Sequence, residues 1–325
     1  MQLFHYVTMR YLTTMILLPI AICIILLVLL TAYICCRICF FAPPRITDEN
    51  FKIQLSGGEE YRRVRAEIEA SVSKMLERPF EPVTIVTFDG KKLYGRYYHV
   101  ADNAPLQIQF HGYKSCAVLD FCGGSLYAGK IGHNTLVVDH RSHGQSEGNS
   151  ITFGVLERKD VLCWIDYARS RFGSDVKIIL AGLSMGAATV LMSADQPLPS
   201  NVAGIVADCP YASPTAIIKK VCQTDMHLPS NLLFPFIKLG ARLFAGFDLE
   251  ESAPVTAVKN TPVPILIIHG EGDRYVPCDM SRTIQAANPE KITLVTIPDA
   301  GHGLCYMTAP DIYENAMVEF FKKIL

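Results

Sequence analysis

The chain has 325 residues, half of them hydrophobic, with 30 Lys and Arg balanced by 31 Asp and Glu. That length allows one large domain with an extension, or two small ones, and the apolar share is enough for a sizeable core. The near-zero net charge and the scattered basic residues point to no nucleic-acid partner.

The first element is apolar. From Tyr11 to Cys36 there is no charged residue, and aliphatic side chains dominate. As a helix, these residues extend roughly 39 Å, enough for a bilayer core of about 30 Å. The run is too long for a signal peptide, and no small-x-small cleavage site follows it. Residues 1–36 therefore read as an uncleaved, single-pass membrane anchor. Arg37, Arg45 and Lys52 follow the span, whereas Arg10 and the α-amine precede it, which favours a cytoplasmic catalytic domain. The 11 cysteines point the same way: they show no disulfide or metal-ligand pattern and read as free thiols. Cys35, Cys36 and Cys39 stand where acyl chains attach in other proteins, but read as apolar filler at a helix end.

Residues 37–80 form a juxtamembrane linker in which Pro43 and Pro44 stop the helix. Between Glu60 and Glu77, apolar residues at Val64, Ile68, Val72 and Met75 predict an amphipathic helix against the domain or the bilayer. From residue 81 onward, strands and helices alternate. Val83–Phe88 and Leu93–Val100 flank an Asp89-Gly90 turn and predict a hairpin. Apolar runs at 106–110, 135–139, 176–181, 202–207, 264–268 and 292–297 predict further strands, separated by helical patterns such as 153–172. One hairpin followed by strand–helix repeats implies a mostly parallel sheet with helices on both faces. The stretch 211–262 is long for a crossover and predicts a small helical cap over the site.

Gly182-Leu183-Ser184-Met185-Gly186 sits between a predicted strand and a predicted helix. Glycines on both sides permit a sharp turn that lifts the serine hydroxyl out of the sheet, the pattern of a nucleophile elbow. A serine nucleophile needs a base and an orienting acid. His302, between Gly301 and Gly303 after the last strand, is the candidate base. Asp273, after the strand at 264–268, is the candidate acid. The order Ser, Asp, His is the one this elbow leads to. Asp208 is the runner-up acid, Glu271 points aside, and Asp299 is too near His302 in sequence. Two backbone amides are needed for the oxyanion. Met185, at the start of the elbow helix, and Tyr113, in the loop Phe110-His111-Gly112-Tyr113, are the candidates. His140 and His143 lack a third ligand, so a tight pinned loop is read there and no metal site.

These segments, together with Asp139-His140-Arg141-Ser142-His143-Gly144-Gln145-Ser146, resemble the α/β-hydrolase superfamily over about residues 80–325. The family loop usually reads Asp-x-Arg-Gly-His-Gly, and Ser142 departs from it. The resemblance implies an α/β-hydrolase fold with an eight-stranded sheet, an acyl-enzyme mechanism and no cofactor. It does not name a substrate. The reading is a membrane-anchored serine hydrolase of carboxylic esters or thioesters, whose partners are the bilayer and a small acyl ester, with lipid-like acyl groups favoured. A serine peptidase of the same fold and an inactive membrane-tethered binding protein are the alternatives. The first lacks an extra gating domain, since residues 37–80 are too few to build one. The second is opposed by the retention of Ser184, Asp273 and His302.

Overall fold

The structure, a computed structural model, describes residues 2–42 and 58–325, with side chains from residue 15 onward. The expected helix stop at Pro43 and Pro44 and the basic residues Arg45 and Lys52 lie outside the described residues, as does the Arg10 side chain. The N-terminal helix runs Gln2–Phe40, four residues past the expected end of the anchor. Its Met15–Phe40 portion is long and apolar enough to cross a membrane, with a mean hydropathy of 3.1. Met15, Leu17, Leu18, Leu26 and Leu27 all point away from the rest of the protein.

Eight strands form one sheet: β1 (Glu81–Val86), β2 (Lys92–Tyr98), β3 (Leu106–Phe110), β4 (Asn134–Val138), β5 (Ile178–Leu183), β6 (Val202–Asp208), β7 (Ile265–Gly270) and β8 (Ile292–Ile297). Their order is β1-β2-β4-β3-β5-β6-β7-β8. Strand β2 is antiparallel to both β1 and β4, and the pairs from β4 to β8 are parallel. The chain leaves β3 towards β4 on one side and returns to β5 on the other. The loops after β3 and β5 therefore open a crevice at the carboxyl ends of the strands, where α/β sheets bind ligands.

Side chains alternate across the sheet with a period of two. Leu106, Ile108 and Phe110 of β3 and Ile178 and Leu180 of β5 join one core with Trp164 and Ile165 of helix Glu157–Phe172 and Val190 of helix Met185–Met192. Ile179 and Ala181 face the opposite core, built with Ile68, Val72 and Met75 of helix Arg65–Glu77 and Met317 and Phe320 of helix Pro310–Ile324. The amphipathic stretch before the domain thus packs on the sheet.

The region 211–262 forms helices Pro214–Lys220 and Ser230–Gly240, each continued by a short wider turn of helix. It reaches the mouth of the site, where Asp225 lines the cavity and Lys220 Nζ donates to the Arg274 carbonyl at 2.6 Å. Its apolar face packs away from solvent: Phe234, Ile237 and Ala241 share a third core with Cys36 and Phe40 of the N-terminal helix and with Met185, Ala188 and Met192 of the elbow helix. Gly240 permits this docking, since a Cβ there would stand 2.4 Å from the Ala32 carbonyl oxygen.

Candidate active site

Ser184 follows β5 directly and has φ 55° and ψ −113°, a left-handed conformation that is strained for a non-glycine residue. Its amide donates to the Asp208 carbonyl at 2.8 Å, which ties the turn to β6. The elbow glycines are there for space. A Cβ on Gly182 would meet the Gly186 backbone at 2.3 Å, and one on Gly186 would meet the Phe110 carbonyl oxygen at 1.8 Å. The turn therefore closes only between glycines, with β3 pressed against the start of the helix.

The structure brings Ser184, His302 and Asp273 together from three different loops. His302 Nε2 lies 2.9 Å from Ser184 Oγ, and His302 Nδ1 lies 2.6 Å from Asp273 Oδ2. The other carboxylate oxygen, Oδ1, accepts from the Tyr275 and Val276 amides at 2.9 and 2.8 Å. His269 Nε2 stands 3.3 Å from Oδ2 and 2.9 Å from the Val276 carbonyl, while its Nδ1 meets Ser281 Oγ at 2.6 Å. Burial alone pushes the Asp273 carboxyl up. The hydrogen bonds from His269 and His302, the His302 charge and the Val276 amide outweigh it and hold the group well below the usual carboxylate range. Asp273 is thus a carboxylate fixed in orientation by backbone amides, with Oδ2 aimed at the imidazole.

Asp208 does not take that place. Its Oδ1 is buried without a hydrogen-bond partner, and burial raises its carboxyl to about 6. Glu271 turns outward to Arg282. His111 packs edge to face against both His140 and His143, with ring centroids 4.8 Å apart in each pair. They serve as internal struts: His111 Nε2 accepts from the His140 amide at 3.1 Å, and His143 Nε2 accepts from the Lys114 amide at 3.2 Å. Burial lowers all three, to about 3 for His140 and about 4 for His143, so they stay neutral. The loop that carries them is pinned by Arg141, which grips Asp160 through two bonds of 2.7 and 2.6 Å. Ser142, the departure from the family loop, has φ 67° where glycine is usual, and its hydroxyl donates to the Ser150 carbonyl at 2.8 Å. Among the described residues, the one trio placed to hold a metal is Cys209, Asp273 and His302. Two of its members are already committed to hydrogen bonds with Ser184 or with each other.

Two residues that stand outside every sequence motif also shape this site. Asp120 accepts from the Gly112 amide at 2.6 Å and from the Ser115 hydroxyl at 2.5 Å, and so sets the loop before Tyr113. Tyr61, from the short helix Glu59–Arg63, donates its hydroxyl to the His302 carbonyl at 2.6 Å. Neither belongs to a motif, and only the fold brings them to the site. Gly112 faces the nucleophile, with its would-be Cβ 3.4 Å from Ser184 Cβ.

A cavity of about 560 Å³ opens beside Ser184 and His302. Its floor is one face of the sheet: Gln107 and Gln109 of β3, Ala181 and Leu183 of β5, and Val206 and Asp208 of β6. Leu119, Phe121, Tyr127, Met307 and Met317 wall it. Glu60 and Tyr61 also line it, whereas Asp225 is the one lining residue from the region 211–262 among the described residues. Gln109 Oε1 and Asp208 Oδ1 are the two buried acceptors on this floor that have no partner among the described residues.

The sequence profile of a family described as the alpha/beta hydrolase family matches residues 110–316, more than half of the chain. The protein YqkD of Bacillus subtilis is 26% identical over 190 residues, which cover 58% of this chain and 62% of that protein. YfhR of Escherichia coli strain K12 is 26% identical over 200 residues, covering 59% and 61%. Each match thus spans about three fifths of the relative's length. Among solved structures, the Pyrococcus furiosus esterase Pf2001 superposes with a TM-score of 0.65 at 21% identity, over 88% of this chain and 98% of that one. Est1E of Butyrivibrio proteoclasticus, solved with ferulic acid bound, gives a TM-score of 0.54 at 21% identity, over 74% and 99%.

Proposed function

This chain belongs to the alpha/beta hydrolase family, and from that we infer that it is a serine hydrolase cleaving carboxylic esters or thioesters through an acyl-enzyme on Ser184. The observation that carries this reading is the continuous relay of 2.9 Å from Ser184 Oγ to His302 and 2.6 Å from His302 to Asp273. In it, His302 Nε2 takes the Ser184 proton as Oγ attacks the acyl carbon. Asp273 keeps the second imidazole proton on Nδ1 and stabilises the imidazolium. The Met185 amide, first in its helix and without a carbonyl one turn before it, and the Tyr113 amide stabilise the tetrahedral oxyanion. His302 then returns the proton to the leaving alcohol or thiol. A water molecule, deprotonated by the same imidazole, releases the acid and restores Ser184.

The cavity supports an acyl substrate, since it meets the nucleophile and is walled mainly by Leu, Phe, Tyr and Met side chains. The apolar helix Met15–Phe40 supports a single-pass bilayer anchor, and a lipid-like acyl group would reach the site from that surface. Arg37 at the helix end and the free cysteines favour a cytoplasmic catalytic domain. The test uses the full chain purified in detergent, a fluorophosphonate probe and p-nitrophenyl esters of graded length. The wild type labels and turns over, and Ser184→Ala does neither. Undiminished turnover by Ser184→Ala would refute the mechanism, and equal cleavage of peptide amides would restore the peptidase reading.

A further inference from the structure

The last turn of the N-terminal helix is bonded to the oxyanion loop. A helix leaves its final carbonyls without partners in its own backbone. Here two of them are taken by consecutive residues of the loop after β3: the Tyr113 hydroxyl donates to the Cys39 carbonyl at 2.8 Å, and Lys114 Nζ donates to the Ile38 carbonyl at 3.4 Å. The Lys114 ammonium also lies 4.9 Å from the Tyr113 ring centroid, and a cation at a helix C-terminus is favoured by the helix dipole. Beside these bonds, Phe40 is fully buried, edge-on to Phe153 and Phe247 at 5.8 and 5.1 Å, and Phe153 in turn packs on Tyr113 at 4.9 Å. The backbone continues the junction: the Ile151 amide donates to the Phe40 carbonyl at 2.7 Å, and the Ala42 amide to the Asn149 carbonyl at 3.2 Å.

We propose that the Ile38–Phe40 end of the membrane helix positions the Tyr113 amide, so that the anchor is a working part of the catalytic site and not only a tether. This rests on the assignment of that amide as an oxyanion donor. Three restraints meet on the loop. Asp120 holds the Gly112 amide, His143 holds the Lys114 amide, and the helix end holds the Tyr113 side chain. Lys114 has φ 53°, a strained turn that needs such restraint. Between the two anchored amides, the Tyr113 amide has no acceptor among the described residues. The Tyr113 side chain and the helix end are thus positioning groups, acting through a main-chain donor that they do not themselves supply.

The test is made on the full chain in lipid nanodiscs. Tyr113→Phe keeps the ring on Phe153 and removes only the bond to Cys39. Losing an oxyanion donor altogether costs about 10²–10³ in kcat, so displacing one is expected to cost about tenfold, with KM unchanged. Affinity for a trifluoromethyl ketone, which becomes an oxyanion on Ser184, falls by the same factor, whereas affinity for the unreactive alcohol of the same chain length does not. A purely structural role would lower thermal stability without that split. Lys114→Met, at an exposed side chain, is expected to give a smaller change of the same kind, and it decides the matter if Tyr113→Phe does not fold. Wild-type kcat and ketone affinity in the folded variants overturn the proposal. A wild type that neither labels with fluorophosphonate nor turns over an ester overturns the hydrolase reading instead.

Discussion

Replacing Asp273 with Asn tests the relay at its most constrained point. Oδ1 accepts two backbone amides, from Tyr275 and Val276, at 2.9 and 2.8 Å. The Asn side chain must keep its oxygen there, because its NH2 group would face two donors. The NH2 group is then left at the position of Oδ2, pointing at His302 Nδ1, which stands 2.6 Å from that oxygen in the wild type. Two donors cannot share that contact, so His302 turns to the tautomer protonated on Nε2. That nitrogen faces Ser184 Oγ at 2.9 Å and no longer accepts its proton. A reversed tautomer of this kind costs about 10⁴ in kcat, the value known for the same change in a serine protease triad, or about 5.4 kcal/mol of barrier. The assay is steady-state hydrolysis of p-nitrophenyl butyrate at neutral pH, with circular dichroism and thermal melting to show that the fold is kept. A folded Asp273→Asn protein within tenfold of wild type would refute the argument.

Three further variants separate the fold, the cavity and a buried charge. Gly186→Ala drives a Cβ to 1.8 Å from the Phe110 carbonyl oxygen, and urea unfolding should show a loss of about 3 kcal/mol or more, with fluorophosphonate labelling abolished. Ala181→Leu fills the floor of the cavity, and the ester panel should shift towards shorter acyl chains while acetate turnover persists; an unchanged chain-length profile would remove the acyl group from this cavity. Asp208 has a folded value raised from 3.8 to about 6 by burial, so its contribution to stability is complete below about pH 4 and is lost as pH rises through 6. Asn at that position does not titrate. The stability of Asp208→Asn relative to wild type should therefore rise by about 2.5 kcal/mol between pH 4 and pH 7, since each pH unit between the two values is worth about 1.4 kcal/mol. A pH-independent difference would show that the carboxyl is solvated.

The parts of the fold legible in the sequence were those written in local pattern. The Asp89-Gly90 turn, the alternation of apolar runs with helical spacing, and the elbow glycines each act within a few residues, and a mostly parallel sheet follows from their succession, as observed. The region 211–262 was legible only in part, for the same reason. Its Phe and Leu content declares that a face is buried without saying against what, and the partner turned out to be the N-terminal helix. Tyr61 and Asp120 were invisible, because a lone tyrosine in a charged helix and a lone aspartate at a helix end carry no motif.

What the sequence determined by itself is the chemistry available: a serine in a turn that only flanking glycines allow, an acid and a base after later strands, and an apolar helix at the start. These are properties of residue type and short spacing, which the chain cannot alter by folding. The sequence preferred Asp273 over Asp208 as partner of His302, and the tertiary structure supplied the reason, since the Tyr275 and Val276 amides orient the Asp273 carboxylate towards the imidazole. It also decided that the end of the apolar helix meets the loop carrying Tyr113, 74 residues away in sequence, through one hydroxyl and one carbonyl. A contact of that separation depends on how whole elements pack, which no local pattern records.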